Sequence, residues 1–158
     1  MDTAEIREHV INVIEAGKQI FIFSTVDQEG RPHSRYMGTL NIHDDYSTFY
    51  MACKASSSKL QQIRGNPNVQ VLFVTPDYME VATLSGKAYP EDSDEIKKET
   101  WEKNPAMAGY FASAEAPDYA IIRFEPELAE YYCSSKNYEA ETIPWGAATP
   151  AKGKKTAR

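Results

Sequence analysis

Between residues 19 and 89 the chain repeatedly joins a short run of β-branched and aromatic residues to a tight turn, a pattern that antiparallel pairing satisfies with little connecting chain. The runs at residues 19–26, 33–42, 46–52, 69–74 and 79–89 predict five strands. Asp27-Gln28-Glu29-Gly30, His43-Asp44-Asp45 and Thr75-Pro76-Asp77 supply turns, with Gly30 free to take positive φ. A sixth strand is predicted over residues 119–132, bent at Glu125-Pro126 because proline cannot donate to a ladder. Such a set predicts an antiparallel sheet closed into a barrel, a mainly β, α+β fold.

Three helical patterns flank it. Ile6, Val10, Val13 and Ile14 form one apolar stripe over residues 3–16, and Gly17 stops it. A second helix runs from the serines at 56–58 to about Arg64, ended by Gly65-Asn66-Pro67. A third starts at Asp92-Ser93-Asp94-Glu95, buries Ile96, Thr100 and Trp101, and stops at Asn104-Pro105, with a short helical piece at residues 106–111. After Cys133 the periodicity disappears into proline, alanine and lysine, which divides the chain into a domain at 1–133 and an extension at 134–158. Trp145 is out of place in a solvated tail and predicts a docking surface, with a partner subunit as candidate.

At 158 residues the chain buries one core without disulfides. Its net charge is −6, but Lys152, Lys154, Lys155 and Arg158 concentrate +4 at the end, so the body carries −10 and repels nucleic-acid backbones. Cys53 and Cys133 have no CxxC spacing, which fits a reducing cytoplasm. The longest apolar run, Val71-Leu72-Phe73-Val74, is too short to span a bilayer, and the start lacks a signal-peptide pattern. His9, His33 and His43 are scattered and predict no metal site.

Chemistry concentrates in residues 49–63, where a strand passes Ser56, Ser57, Ser58 and Lys59 into a helix start. Unpaired N–H groups, the positive helix end, hydroxyls and a lysine make a phosphate site. The alternative is a plain N-cap at Ser58 with Gln61 completing a capping box. On the strand 33–42, Arg35 shares a face with Met37 and Thr39, where a guanidinium wants an anion or must snorkel to solvent. Gly38 opens mid-strand space for a flat ligand or marks a bulge.

The order of a Gly-Arg-Pro-His turn (Gly30 to His33), Arg35, Phe49-Tyr50-Met51, Ser57-Ser58-Lys59, Asn66-Pro67-Asn68-Val69 and Ser85-Gly86-Lys87-Ala88 resembles the pyridoxamine 5'-phosphate oxidase-like FMN-binding split barrels, most closely the general stress protein 26 branch. The resemblance spans roughly residues 5–133. It implies a six-stranded antiparallel split β-barrel of Greek-key type and a homodimer with FMN, or another flavin, at the interface. It also implies that Arg35, Ser57, Ser58 and Lys59 hold the phosphate, and that Tyr36, Met37, Gly38, Tyr50 and Met51 lie along the ring.

Ser58 replaces the arginine of many relatives, Leu40 replaces the lysine of the true oxidases, and neither their C-terminal strand nor their arginine-containing signature is expected after Tyr132. The implied activity is therefore a flavin-dependent oxidoreductase with a substrate other than pyridoxamine phosphate. The alternatives are a non-enzymatic flavin-binding stress protein or carrier, and the haem handling of some split-barrel relatives. Trp101 and Tyr110-Phe111 are either core or flavin-stacking aromatics, and Cys53 is either a reactive thiol near the phosphate site or a buried inert one.

Overall fold

The computed structural model describes residues 1–136 and 139–146. In chain order the elements are α1 (Thr3–Gly17), β1 (Phe21–Val26), β2 (Pro32–Met37), β3 (Asn41–Ile42), β4 (Phe49–Lys54), α2 (Ser58–Gly65), β5 (Asn68–Val74), β6 (Glu80–Glu91), α3 (Asp94–Lys103), β7 (Tyr119–Cys133) and β8 (Glu141–Pro144). The strands pair antiparallel in the order β2-β1-β5-β6-β7-β4-β3, with β8 also on β7.

β2 and β3 lie at opposite ends of that path, yet only residues 38–40 separate them. Four Cα steps reach at most roughly 14 Å, so the sheet must curl until its two edges almost meet. This is the split barrel, and its seam is the strand that the sequence predicted as continuous over residues 33–42. The seam breaks at Gly38, which lacks a Cβ to hold a pleat.

Eight strands are seen among the described residues where six were expected: the seam counts twice, and β8 adds one. β4 starts later than predicted, because Tyr46 at φ 58° belongs to the turn and Asp45 accepts from both the amide and the hydroxyl of Ser47. The helical piece after α3 is a 3-10 turn, Pro105–Gly109.

Alternate residues of β1 and β5 point inward, burying Phe21, Phe23, Val71 and Phe73 with Phe49 and Phe124. The sequence predicted cover on both faces of β1, but Ile22, Ser24 and Val26 are only partly buried. α1 is nucleated by a capping box between Asp2 and Glu5 and lays Ile6, Val10, Val13 and Ile14 on the same core. A smaller cluster gathers Ala52, Met107, Phe111, Tyr119 and Ile121 beside α3. Trp101 and Phe111 both meet Tyr119 edge-on, so the core reading holds for them, while Tyr110 is exposed.

The predicted bend in β7 is a bulge. Ser85 pairs with Leu128 and Gly86 with Pro126, leaving Glu127 as the extra residue. A Cβ on Gly86 would lie 2.1 Å from the Glu125 carbonyl oxygen, so only glycine fits.

The chain beyond Cys133 is not all linker. β8 pairs with residues 128–131 of β7, and Trp145 is buried within its own chain rather than needing a partner's surface. Its Nε1 donates to the Tyr46 carbonyl at 2.8 Å, and Arg7 lies 3.9 Å above its ring. A four-residue strand is too short to show a period in sequence. The basic cluster Lys152, Lys154, Lys155 and Arg158 falls outside the described residues. No described helix is long and apolar enough to cross a membrane.

Candidate functional site

The antiparallel register sets Arg35 of β2 opposite Phe23 of β1, with Thr25 two residues along. α2 packs over β1 and β6 by burying Leu60 and Ile63, which turns Gln62 toward Thr25. The guanidinium then closes a ring of hydrogen bonds. Nη1 of Arg35 donates to Thr25 Oγ1 at 2.8 Å, Nη2 donates to Gln62 Oε1 at 3.1 Å, and Thr25 Oγ1 donates to the same Gln62 oxygen at 2.5 Å. Nη1 also reaches the carbonyls of Phe23 and His33 at 3.3 and 3.2 Å.

At the start of α2 the N-cap is Ser57, not Ser58, and its side chain makes no cap bond. The capping box expected between Ser58 and Gln61 is therefore not formed. The Ser57 hydroxyl instead accepts from Lys59 Nζ at 2.7 Å, which holds the ammonium beside the helix start. Ser58 is the first helical residue and is exposed.

Every described partner of Arg35 and Lys59 is neutral, and neither enters an ion pair among the described residues. Burial pulls the Lys59 ammonium below its usual range, and the positive charge of Arg35 pulls it further, opposed by Cys53. Burial lowers Arg35 in the same sense. The Cys53 thiol is pushed up to about 11 by burial, with Lys59 opposing, so the inert reading of this cysteine holds.

The remaining predicted residues divide. Tyr36 is 76% exposed and lines an apolar groove of about 700 Å³ with Ile20, Ile22, Leu72 and Tyr78 on the outer face of β2, β1 and β5. Met37 is buried, and Gly38 lines a separate polar cleft of about 430 Å³ with Leu40, Asn41, Lys103 and Asn104. Tyr50 packs on the smaller cluster; burial, then Glu91, raises its phenol. The Met51 side chain is wholly buried in the main core, so only its backbone is left to face a ligand.

The structure thus pairs Lys59 with Ser57 and sets Arg35 near enough for its charge to act on Lys59; it adds Thr25 and Gln62 as partners of Arg35, which sequence reasoning did not single out. Gln62 carried a signal in being a polar residue one position before the buried Ile63, on a helix whose start already held a lysine. The histidines are engaged elsewhere: His9 stacks on Tyr131, His33 meets Asp27 at 2.7 Å and His43 meets Asp45 at 2.9 Å. No group of three potential metal ligands occurs among the described residues.

Comparison with known proteins identifies the family and the fold. The family model described as pyridoxamine 5'-phosphate oxidase matches residues 6–133. The chain is 32% identical over 133 residues to general stress protein 26 of Bacillus subtilis (strain 168), covering 80% of this chain and 88% of the relative. The crystal structure of general stress protein 26 from Bacillus anthracis str. Sterne superposes with TM-score 0.72 at 26% identity, covering 89% of this chain and 99% of that one. A pyridoxamine 5'-phosphate oxidase-related, FMN-binding protein of Nostoc punctiforme PCC 73102 shares the fold at TM-score 0.66 and 13% identity, over 92% of this chain and 100% of its own.

Proposed function

The chain belongs to the pyridoxamine 5'-phosphate oxidase family, and from that premise we propose that it is a flavoprotein that binds FMN through its phosphate at Arg35, Ser57, Ser58 and Lys59. The observation that carries this reading is the pair of half-buried cations that share one locality and have only neutral partners. Two such charges repel each other and cost desolvation, an arrangement that a bound dianion relieves. The helix start of α2 adds N–H groups and the positive end of its dipole to the same place.

The donor set fits a phosphate monoester. Arg35 offers a planar fork, Lys59 a point charge, and the serines hydroxyls. From there the exposed face of Tyr36 and the backbone at Met37, Gly38, Tyr50 and Met51 would border the ring system. Bound FMN would supply hydride and single-electron chemistry, so the protein's tasks are to orient the ring and shape access to it. The function is that of an oxidoreductase acting on a small molecule other than pyridoxamine phosphate, because Leu40 offers no charge to a substrate phosphate. The exposed apolar groove around Tyr36 and Tyr78 supports a homodimer that covers it, with flavin at the interface. Two free, buried cysteines accord with a cytoplasmic setting.

The test is to purify the protein with added FMN, desalt it, record the visible spectrum and identify released ligand by mass, with Lys59→Ala alongside. Losing one charge-assisted contact of about 1.5–3 kcal/mol should weaken binding by roughly ten- to a hundredfold. Flavin retained by the parent and lost by the variant supports the site; no flavin in either removes it. Reduction of the loaded protein by NAD(P)H and reoxidation by an acceptor separates an oxidoreductase from a carrier.

A further inference from the structure

We propose that Gln62 is a positioning residue whose neutrality makes the site selective for a phosphorylated ligand. This rests on the phosphate reading above and adds a role for a side chain whose hydrogen bonds among the described residues go to Arg35 and Thr25.

Gln62 Oε1 and Thr25 Oγ1 take one N–H from each end of the guanidinium, at 3.1 and 2.8 Å, while the hydroxyl of Thr25 bonds back to the same amide oxygen. Thr25 is fully buried and cannot swing away. The fork is therefore fixed in plane and direction by groups that carry no charge. A carboxylate at position 62 would have the same shape and reach, but would form a two-point ion pair with Arg35 and cancel the charge meant for the ligand. The amide orients Arg35 without neutralising it. The adjacent helix positions fit this assignment: Leu60 and Ile63 hold α2 on the core, leaving Gln62 to face β1.

The experiment measures dissociation constants for FMN and for riboflavin, which lacks the phosphate, by quenching of flavin fluorescence on the full chain. Gln62→Glu should weaken FMN by about tenfold or more and riboflavin by less than about twofold, collapsing the preference for the phosphorylated form. Gln62→Met, similar in size but unable to accept these bonds well, should weaken FMN several-fold and again spare riboflavin. It carries the test if the glutamate variant does not fold. A merely structural role would shift both ligands together. Lys59→Ala and Arg35→Ala serve as reference variants. If they lower the FMN preference while both Gln62 variants keep it, the role of Gln62 is overturned and the phosphate site stands. If no variant changes the preference, the phosphate site itself is overturned, and this assignment with it.

Discussion

Gly86→Ala should be among the most damaging single-methyl additions this fold can receive. Its new Cβ would stand 2.1 Å from the Glu125 carbonyl oxygen and 2.8 Å from the Pro126 Cα, whereas an ordinary contact begins near 3.4 Å. Both obstacles are backbone, so no side-chain rotation can absorb the clash. The strands must separate at the bulge, where Gly86 faces Pro126 and Glu127 is the extra residue. Overpacking typically costs about 1–3 kcal/mol, and rigid neighbours put this site at the upper end. Reduced freedom of the unfolded chain returns roughly 0.4–1 kcal/mol. A net loss of about 2–3 kcal/mol lowers Tm by roughly 5–10 °C in a chain of this size. Gly65→Ala is the matched control, since a Cβ there meets nothing within 4 Å. Thermal melts followed by circular dichroism read both. A Gly86→Ala melt within about 2 °C of the parent would refute the argument that this close approach fixes the β6–β7 register.

Three further outcomes are expected. Trp145→Ala removes a buried indole, its bond to the Tyr46 carbonyl and the stacking surface of Arg7, and should cost about 3 kcal/mol or more in urea unfolding; a loss below about 1 kcal/mol would show that the C-terminal segment does not hold the barrel. Asp45 is held at about 2, below its ordinary 3.8, by the hydroxyl and amide of Ser47 and then by His43. Its folded value lies below its unfolded one, so its contribution is present above about pH 4 and lost as pH falls toward about 2. The urea midpoints of parent and Asp45→Asn should therefore differ at about pH 6 and converge across that acid window. Cys53, with its thiol at about 11 and only 7% exposed, should resist alkylation at about pH 8 until the chain unfolds, as read by peptide mass mapping.

Much of this architecture was legible in sequence because it is written in local patterns. The stripe Ile6, Val10, Val13, Ile14 gave α1, and the β-branched and aromatic runs around Phe21 and Val71 gave strands, although only alternate residues of β1 are buried where cover on both faces was expected. The seam strand was misread as continuous because its two halves pair with opposite ends of the sheet, a tertiary fact with no mark in the sequence beyond Gly38. β8 was missed because four residues hold too little period to detect, although Trp145 beside it betrayed buried surface. At the candidate site, Arg35 was singled out as a charge in an apolar setting and Lys59 as a lysine following three serines at a helix start. Thr25 and Gln62 were not, because their importance lies in which strand and helix meet, and that depends on register.

The site also bears on how the chain divides its stability. A serine at a helix start ordinarily caps it, and Ser57 does not; its hydroxyl is given to Lys59. Arg35 is likewise held by an amide, a hydroxyl and carbonyls, in a chain with 23 acidic residues from which an ion-pair partner could have been drawn. Each choice forgoes a conventional stabilising contact of about 1 kcal/mol and keeps positive charge available. On the proposed reading the deficit is recovered on binding. A ligand at a hundred times its Kd stabilises the folded state by about 2.7 kcal/mol, and the two cations turn from mutual repulsion to shared attraction. The locality is therefore expected to be less protected from amide exchange before flavin binds than after, with the change centred on the first turn of α2 and the facing residues of β1 and β2.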